Sequence, residues 1–213
     1  VKNQLVQNQN KEKKELLSQT NNQEKEYQKI ISRIQIRQAE IQKEIFETEA
    51  KLRGELGGIP KPRPGALAWP LLGRITQGYG STYVTGFFND AYKFHNGIDI
   101  AAIYGTPVRA ADGGIVSASA DDGRYAYGSW VSIRHDNGLT TLYTHFSAKA
   151  VFIGETVRQG QIIGYVGSSG FTTGSHLHFT VYSTNTFRVE NRWYGLLPLG
   201  GSVNPFDYMV LLN

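Results

Sequence analysis

The chain has 213 residues, enough for one full domain and a smaller element, and its 40% hydrophobic and 12% aromatic residues can form a buried core. This composition excludes wholesale disorder, and the absence of cysteine excludes disulfides, thiolate metal sites and a cysteine nucleophile. The net charge of +4 divides evenly between the two halves and is too small to indicate nucleic-acid binding. No apolar run approaches the roughly 18 residues of a transmembrane helix, and the polar residues 1–10 do not resemble a secretory signal.

Residues 1–56 are rich in Lys, Glu and Gln and contain no proline, which is typical of a helix. A seam with alternating spacings of four and three runs through positions 27, 31, 34, 38, 41, 45, 48 and 52, and six of these eight positions are apolar. The pattern predicts a coiled coil of about four heptads. Its partner helix would come from a second copy of the chain or from an upstream segment that folds back. The alternative is a single solvated helix.

Residues 57–65 combine glycine with three prolines, which ends the helix and predicts a semi-rigid linker. We therefore divide the chain into a helical segment (1–56), a linker (57–65) and a second domain (66–213). Few contacts are expected across such a linker. The second domain is thus predicted to fold and bind its ligands without the helix.

After residue 65, short runs of β-branched and aromatic residues alternate with glycine-rich turns. Strands are predicted at 114–118, 130–134, 140–145, 161–166 and 176–182. Asp136-Asn137-Gly138 separates two of these strands and is typical of a tight hairpin turn. The pattern favours a mainly β domain, built as a small antiparallel sandwich or barrel.

Four of the five histidines lie in three short segments with metal-site character. His95 and Asp99 are four residues apart, so their side chains would share one face of an extended strand, with Gly97 leaving room for an ion. His145 ends a predicted hairpin strand. His135 lies beside the hairpin turn, and we interpret it as a surface residue.

The third segment, His176-Leu177-His178-Phe179, is the strongest signal. On a strand, both histidines would share one face while Leu177 and Phe179 enter the core. The alternative is a neutral histidine pair bonded to backbone carbonyls. Ligands without sulfur suit zinc, and three protein ligands plus a water form the usual catalytic zinc site. Four histidines and an aspartate exceed that need, so two residues could act as acid–base groups; spacing alone does not say which of His176 and His178 binds metal.

The motifs around these residues lie at 94–101, 105–108, 110–113, 142–145, 157–170, 175–179 and 203–208. Together they resemble the lysostaphin-type (LytM-like) zinc metallopeptidases, which cut peptide bridges in bacterial peptidoglycan. The resemblance covers residues 69–209. It implies a lysostaphin-like antiparallel β-sandwich or barrel with zinc in a groove.

The resemblance also assigns roles to individual residues. His95, Asp99 and His178 match the zinc ligands, which implies one Zn²⁺ per chain. His145 and His176 match the unligated catalytic histidines. The chain is thus expected to be a zinc metalloendopeptidase, a murein hydrolase that acts on peptidoglycan peptides in the cell envelope, periplasmic or extracellular.

The sequence departs from the family pattern at a few places. Gly174-Ser175 stands where members often have Gly-Pro, and Thr180 stands where they often have Glu. Neither change removes a ligand or a catalytic group. A longer insertion at 182–201 carries Trp193 and Tyr194, which would either wall the groove or cover the sheet.

Two other functions are compatible with this organisation. A coiled coil before such a domain resembles bacterial cell-division factors that bind and activate another murein hydrolase, but those have lost metal ligands, and here all five site residues are intact. The other alternative is a scaffold in which zinc only stiffens the domain. The coiled coil itself would bind a second copy or a regulatory protein.

Overall fold

A computed structural model describes residues 2–55, 61–85 and 92–210, with side chains from residue 13 onward. The chain divides into two compact units, Val1–Glu40 and Ile41–Asn213. The first unit is helical, and the second contains the last turns of the long helix and all of the strands. Among the described residues, no helix has the length and apolar content needed to cross a bilayer.

The predicted long helix is confirmed as α1 (Lys2–Gly54). At its end, the amide of Glu55 donates to the carbonyl of Lys51. The helix ends just before the glycine- and proline-rich part of the sequence, and these residue types disfavour helices because glycine is flexible and proline lacks an amide hydrogen. Residues 56–60, which include the first four residues of the predicted linker, lie outside the described residues, and 61–65 form coil and a turn.

In the first unit, the surface of α1 is largely polar, with charged residues among uncharged ones. The Lys29–Glu26 and Arg37–Glu40 ion pairs are solvent-exposed and contribute little to stability. Along the predicted seam, Tyr27 is exposed and Ile31 is half-buried. The partner helix for this part of the seam stays a prediction.

The mainly β fold predicted for the second domain is confirmed. The strands are β1 Arg74–Gln77, β2 Gly80–Ser81, β3 Phe94–His95, β4 Ile98–Ala101, β5 Pro107–Arg109, β6 Gly114–Asp121, β7 Ser129–Arg134, β8 Leu139–Tyr143, β9 Phe146–Lys149, β10 Thr156–Val157, β11 Ile162–Val166, β12 His176–Ser183, β13 Arg188–Arg192, β14 Gly195–Leu199 and β15 Ser202–Val203. One helical turn, α2 (Thr82–Thr85), and a 3-10 turn, Pro205–Asp207, complete the described elements.

A large antiparallel sheet organises the domain. Its strand order is β1-β4-β12-β8-β7-β6-β10, and β15 also pairs with β12. A second sheet has the order β5-β11-β9, and two hairpin-like pairs, β13-β14 and β2-β3, lie outside these sheets. The predicted turn at Asp136-Asn137-Gly138 joins β7 to β8, and Gly138 takes the left-handed φ of 82° that such a turn requires.

The two faces of the large sheet contact different cores. On one face, Ile98, Ile100, Leu177 and Phe179 are fully buried in the main core. On the other face, side chains of the sheet pack with the end of α1 and the β13-β14 hairpin. This second core is formed by Ile41, Ile45, Leu52, Ala126, Tyr127, Trp130, Leu142, Tyr182, Leu197 and Leu199.

The last turns of α1 and the 182–201 insertion therefore both pack on the same face of the large sheet. Ile41, Ile45 and Leu52 belong to the predicted coiled-coil seam, but here they are buried against the β domain of their own chain. Leu197 and Leu199 of the insertion are buried in the same cluster. The insertion thus covers the sheet, as one of the two interpretations predicted, and exposed Trp193 lies at its turn with its ring edge against Tyr125.

Candidate metal centre and active site

Two central strands place the first pair of candidate ligands side by side. Asp99 of β4 is paired directly with His178 of β12 in the antiparallel register. Side chains directly opposite each other in such a pair are neighbours on one face. The Oδ1 atom of Asp99 lies 2.9 Å from Nδ1 of His178. Because alternate residues enter the main core, both polar side chains are on the opposite face of the sheet.

His95 reaches the same point from β3. Its Nδ1–H donates to the carbonyl of Gly78 at 2.8 Å, which leaves a lone pair on Nε2. This Nε2 atom is 2.9 Å from Nδ1 of His178 and 3.2 Å from Oδ1 of Asp99. The expectation that His95 and Asp99 point together is met, although a break at residues 96 and 97 separates their strands.

The atoms that converge here suit a small cation. His95, Asp99 and His178 form a possible metal site in which one ligand atom from each lies within 4.8 Å of the others. Zinc bonds of about 2.0–2.1 Å in a tetrahedral arrangement put neighbouring ligand atoms about 3.3 Å apart. The observed separations of 2.9 to 3.2 Å are close to that spacing. The residues present therefore fit zinc.

The outer side of the His178 ring is fixed by Thr180. The Thr180 hydroxyl lies 2.8 Å from Nε2 of His178, so Nδ1 is the nitrogen directed at His95 and Asp99. Hydrogen bonds of this kind orient metal-binding histidines. Thr180 is one of the positions where the sequence departs from the family pattern, and its hydroxyl supplies a partner for the ring.

Burial and charge set the protonation of this cluster. Burial alone would raise the pKa of Asp99, but the adjacent His95 and His178 bring it well below the ordinary value. Burial lowers the pKa of His178, against the opposing effect of its bond to Asp99. Both effects favour an ionised carboxylate beside a neutral imidazole, which are the forms that bind a metal.

His145 lies next to this cluster without joining it. Its backbone has a φ of 62°, a left-handed conformation that is uncommon for residues other than glycine. Strand β8 therefore ends at Tyr143, two residues before the predicted end. The Nδ1–H of His145 donates to the carbonyl of Ser169 at 2.7 Å. Burial, followed by the nearby His176 and His178, lowers the pKa of His145 to about 3, so its ring is neutral.

His176 is the second histidine beside the cluster. Its ring centre is 4.7 Å from that of His145, and its Nδ1–H donates to the carbonyl of Gly174 at 2.9 Å. The Nε2 atom is 3.7 Å from Oδ1 of Asp99. The alternative of two histidines bonded to carbonyls thus applies to His176, whereas His178 bonds to side chains.

Two interpretations of nearby residues were wrong. His135 is only 3% exposed, because its ring nitrogens bond to the carbonyl of Gly113 and the hydroxyl of Thr141. Gly97 does not leave room for an ion. A Cβ there would lie 2.4 Å from the carbonyl oxygen of Phe179, so glycine is needed for the close approach of the backbone to β12.

Sequence reasoning missed a set of polar residues behind the site. Asn96 follows His95, and its side-chain amide donates to the hydroxyl of Tyr127 at 2.7 Å. The Tyr127 ring stacks on His178, with ring centres 5.7 Å apart. The amide of Asn96 also donates to Glu49 of α1 at 3.0 Å. No sequence motif linked the helix to the histidines; the only signal was a Glu beside the apolar seam.

Comparison with known proteins agrees with this geometry. The sequence profile of peptidase family M23 matches residues 93–190, which include all five candidate site residues. The chain is 49% identical over 88 residues to the DD-carboxypeptidase/endopeptidase Mpg of Neisseria meningitidis serogroup B, covering 41% of this chain and 20% of that protein. It is 44% identical over 87 residues to the peptidoglycan DD-endopeptidase ShyC of Vibrio cholerae, covering 41% and 20%. The chain thus spans about a fifth of the length of these relatives.

A solved structure covers more of the chain. The catalytic domain of a mutant of the prophage-encoded M23 protein EnpA from Enterococcus faecalis is 32% identical, with a TM-score of 0.50. The match covers 64% of this chain and 94% of that domain. The chain belongs to peptidase family M23, a family of zinc-dependent metallopeptidases.

Proposed function

We propose that this chain is a zinc metalloendopeptidase that hydrolyses peptide cross-links of bacterial peptidoglycan in the cell envelope, periplasmic or extracellular. One zinc per chain would be held by His95, Asp99 and His178. The observation that carries this proposal is the convergence of their three ligand atoms within 3.2 Å, beside two histidines that stay outside the cluster.

When bound, zinc supplies a Lewis acid that polarises a carbonyl and lowers the pKa of water towards about 7. The protein fixes the geometry for this chemistry. The carbonyl of Gly78 sets the tautomer of His95, and the hydroxyl of Thr180 orients the ring of His178. Their orientation is therefore complete before a metal arrives.

His145 and His176 are proposed as the catalytic acid–base pair. In both rings, Nδ1–H is held by a backbone carbonyl, so Nε2 has a free lone pair. A neutral imidazole in this state can orient a water, accept its proton and return it to the leaving amine. A protonated ring beside the substrate carbonyl would also stabilise the negative charge that develops on its oxygen.

The substrate class is supported by the relatives. Mpg and ShyC are both named for DD-endopeptidase activity, and ShyC for peptidoglycan. The family match in this chain contains the complete set of five site residues, which favours a cutting enzyme over a factor that only activates another hydrolase.

Mass spectrometry of fragments released from purified sacculi tests this function. The zinc-loaded chain alone, with sacculi of several cross-link types, is expected to release peptides with new termini at a cross-link, and His178→Ala is expected to release none. Fragments that appear only after an added hydrolase would support the activator instead. Release by both proteins alike would contradict the proposed site.

The helix supports a second, separate part of the proposal. We propose that the seam at residues 27–34 binds a partner helix, from a second copy or from a regulatory protein. Exposed Tyr27 and half-buried Ile31 and Ile34 lie along it at spacings of four and three. Sedimentation of the full chain tests the homodimer, and a monomer at all concentrations would leave a regulatory partner or an upstream segment that folds back.

A further inference from the structure

Glu49 has an unusual place on α1. It is 1% exposed, whereas Glu26, Glu40 and Glu47 keep at least 60% of their side-chain surface in solvent. Its Oε1 atom accepts hydrogen bonds from the amide of Asn96 at 3.0 Å and from the hydroxyl of Tyr182 at 2.8 Å. A single buried carboxylate thus joins the helix to the face of the sheet that carries the histidines.

Burying this carboxylate is unfavourable for stability. Removing a carboxylate from water carries a penalty of several kcal/mol, which hydrogen bonds repay only in part. Burial raises the pKa of Glu49 to about 7, against the lowering effect of its bonds to Tyr182 and Asn96 and of the nearby Arg53. The carboxylate therefore has a role other than packing.

The contacts of Glu49 lead to two candidate metal ligands, to His95 through Asn96 and to His178 through Asn96 and Tyr127. Asn96 directly follows His95 and is itself buried. The amide of Asn96 donates to Tyr127 as well as to Glu49, and the ring of Tyr127 stacks on His178. Glu49 is thus one residue removed from His95 by way of Asn96, and Tyr127 extends the same network to His178.

Arg53, one turn further along α1, holds the other neighbour of His95. Its guanidinium carbon lies 4.2 Å from the ring centre of Phe94, and its Nη1 donates to the hydroxyl of Ser202 at 3.1 Å. Nη1 is also 3.7 Å from the second carboxylate oxygen of Glu49. The helix therefore contacts residues on both sides of His95.

We propose that Glu49 is a positioning residue for the metal centre: it fixes Asn96 beside His95 and, through Asn96, Tyr127 on the ring of His178. This inference rests on the proposed function for the identity of the metal. It makes the end of α1 part of the site, even though no helix residue is a ligand.

The physical effect is preorganisation. Ligands already held in place lose less conformational freedom when a metal binds, so the affinity is higher. Residues that orient metal ligands typically contribute 10- to 100-fold to affinity. Glu49→Ala is therefore expected to weaken zinc binding about 10- to 100-fold. Glu49→Gln keeps an oxygen that accepts from Asn96 and Tyr182, and it should stay within about threefold of the unmodified chain.

The test is the zinc dissociation constant of the full chain, measured by competition with a chromophoric chelator. Glu47→Ala, an exposed position two residues away, is the matched control and should bind zinc like the unmodified chain. Tyr127→Phe removes the hydroxyl that bonds to Asn96 but keeps the ring. Tyr127→Phe is expected to weaken zinc binding, as Glu49→Ala does. It replaces Glu49→Ala in the test if that variant does not fold.

Ile45→Ala distinguishes a positioning role of Glu49 from a purely structural one, because it removes packing from the same stretch of helix. The melting temperatures of the metal-free variants are compared with their zinc affinities. Equal loss of zinc affinity in Ile45→Ala and Glu49→Ala at equal loss of stability would overturn the inference. So would an unchanged dissociation constant in both Glu49→Ala and Tyr127→Phe. Failure of the unmodified chain to bind zinc would instead contradict the proposed metal centre.

Discussion

The two faces of β12 differ in chemistry although they belong to the same eight residues. Leu177, Phe179 and Val181 are buried in the main core. Between them, His176 and His178 point to the opposite face, beside Asp99. The period-two alternation of a strand thus places stabilising residues and candidate ligands within one peptide bond of each other.

The second face is stabilised differently from the first. Its apolar cluster is completed by the end of α1 and the β13-β14 hairpin, and its polar part by the network of Asn96, Tyr127 and Glu49. A substitution on the first face should change stability. A substitution on the second face should change metal binding, activity or the pH dependence of stability.

The largest effect is expected from neighbouring residues on opposite faces. His178→Ala removes one of three proposed ligands, so zinc content should fall towards zero and peptide cleavage should be lost. Phe179→Ala should lower the free energy of unfolding by about 3–5 kcal/mol, while the folded fraction still binds zinc. Metal analysis and denaturant titration measure both. Full zinc occupancy in His178→Ala would exclude it as a ligand.

The next largest effect is a loss of peptide cleavage without a loss of zinc, which distinguishes catalytic residues from metal ligands on the second face. His145→Ala and His176→Ala should each keep about one zinc per chain, while cleavage falls by about 10²–10⁴-fold. The two losses should not multiply in the double variant, since groups that act on one water behave as a unit. Zinc loss in His176→Ala with retention in His178→Ala would reverse the assignment of this pair.

Truncation tests where the second domain begins. The sequence predicts that residues 66–213 fold and bind zinc alone. In the structure, Ile41, Ile45 and Leu52 complete the second core, so residues 41–213 are expected to be more stable than 66–213 by more than any single one of these side chains contributes. Thermal melts of both fragments measure the difference. Equal melting temperatures would show that the helix end is dispensable.

Substitution of a single side chain on α1 should lower the free energy of unfolding by less than this truncation does. Ile45 is 6% exposed in the second core, whereas Ile30 is 50% exposed. Ile45→Ala is expected to lower the free energy of unfolding by about 2–5 kcal/mol, and Ile30→Ala by less than about 0.5 kcal/mol. Urea unfolding of the full chain provides both values. A similar loss in the two variants would mean that Ile30 also has a partner surface.

The smallest expected effect is a change in the free energy of unfolding with pH. The carboxyl of Glu49 ionises near 4.5 when unfolded and has a pKa of about 7 when folded. Between these values the folded state holds a proton that the unfolded state has released, so stability falls as pH rises, by about 1 kcal/mol per pH unit. Arg53, Tyr79, Tyr127 and Tyr182 are the other titratable groups near it.

Glu49→Gln removes this slope, so the difference between the two metal-free proteins isolates the carboxyl. Relative to the variant, the unmodified chain should lose stability from about pH 4.5 to 7 and change little above that range. Urea midpoints at several pH values measure the difference. Parallel curves for the two proteins would contradict a raised pKa for Glu49.

Some features followed from the sequence alone because they depend on local pattern. The strand alternation of His176-Leu177-His178-Phe179 fixes which side chains share a face, wherever the strand lies. The turn at Asp136-Asn137-Gly138 follows from the φ that Gly138 must adopt. The helical state of α1 and the position of its C-terminal end follow from its composition and from the glycines and prolines later in the sequence.

Other features were decided by tertiary structure, because they depend on what approaches from a distant part of the chain. The seam of α1 shows only that its apolar residues must pack against another surface. For Ile41, Ile45 and Leu52, that surface is the sheet of the same chain. His135 was expected at the surface but is buried, with its ring nitrogens bonded to the carbonyl of Gly113 and the hydroxyl of Thr141. Glu49 lies 47 residues from Asn96 in sequence, and no periodicity encodes that contact. Only the packing of α1 on the face that carries His178 brings its carboxylate to Asn96, next to the candidate ligand His95.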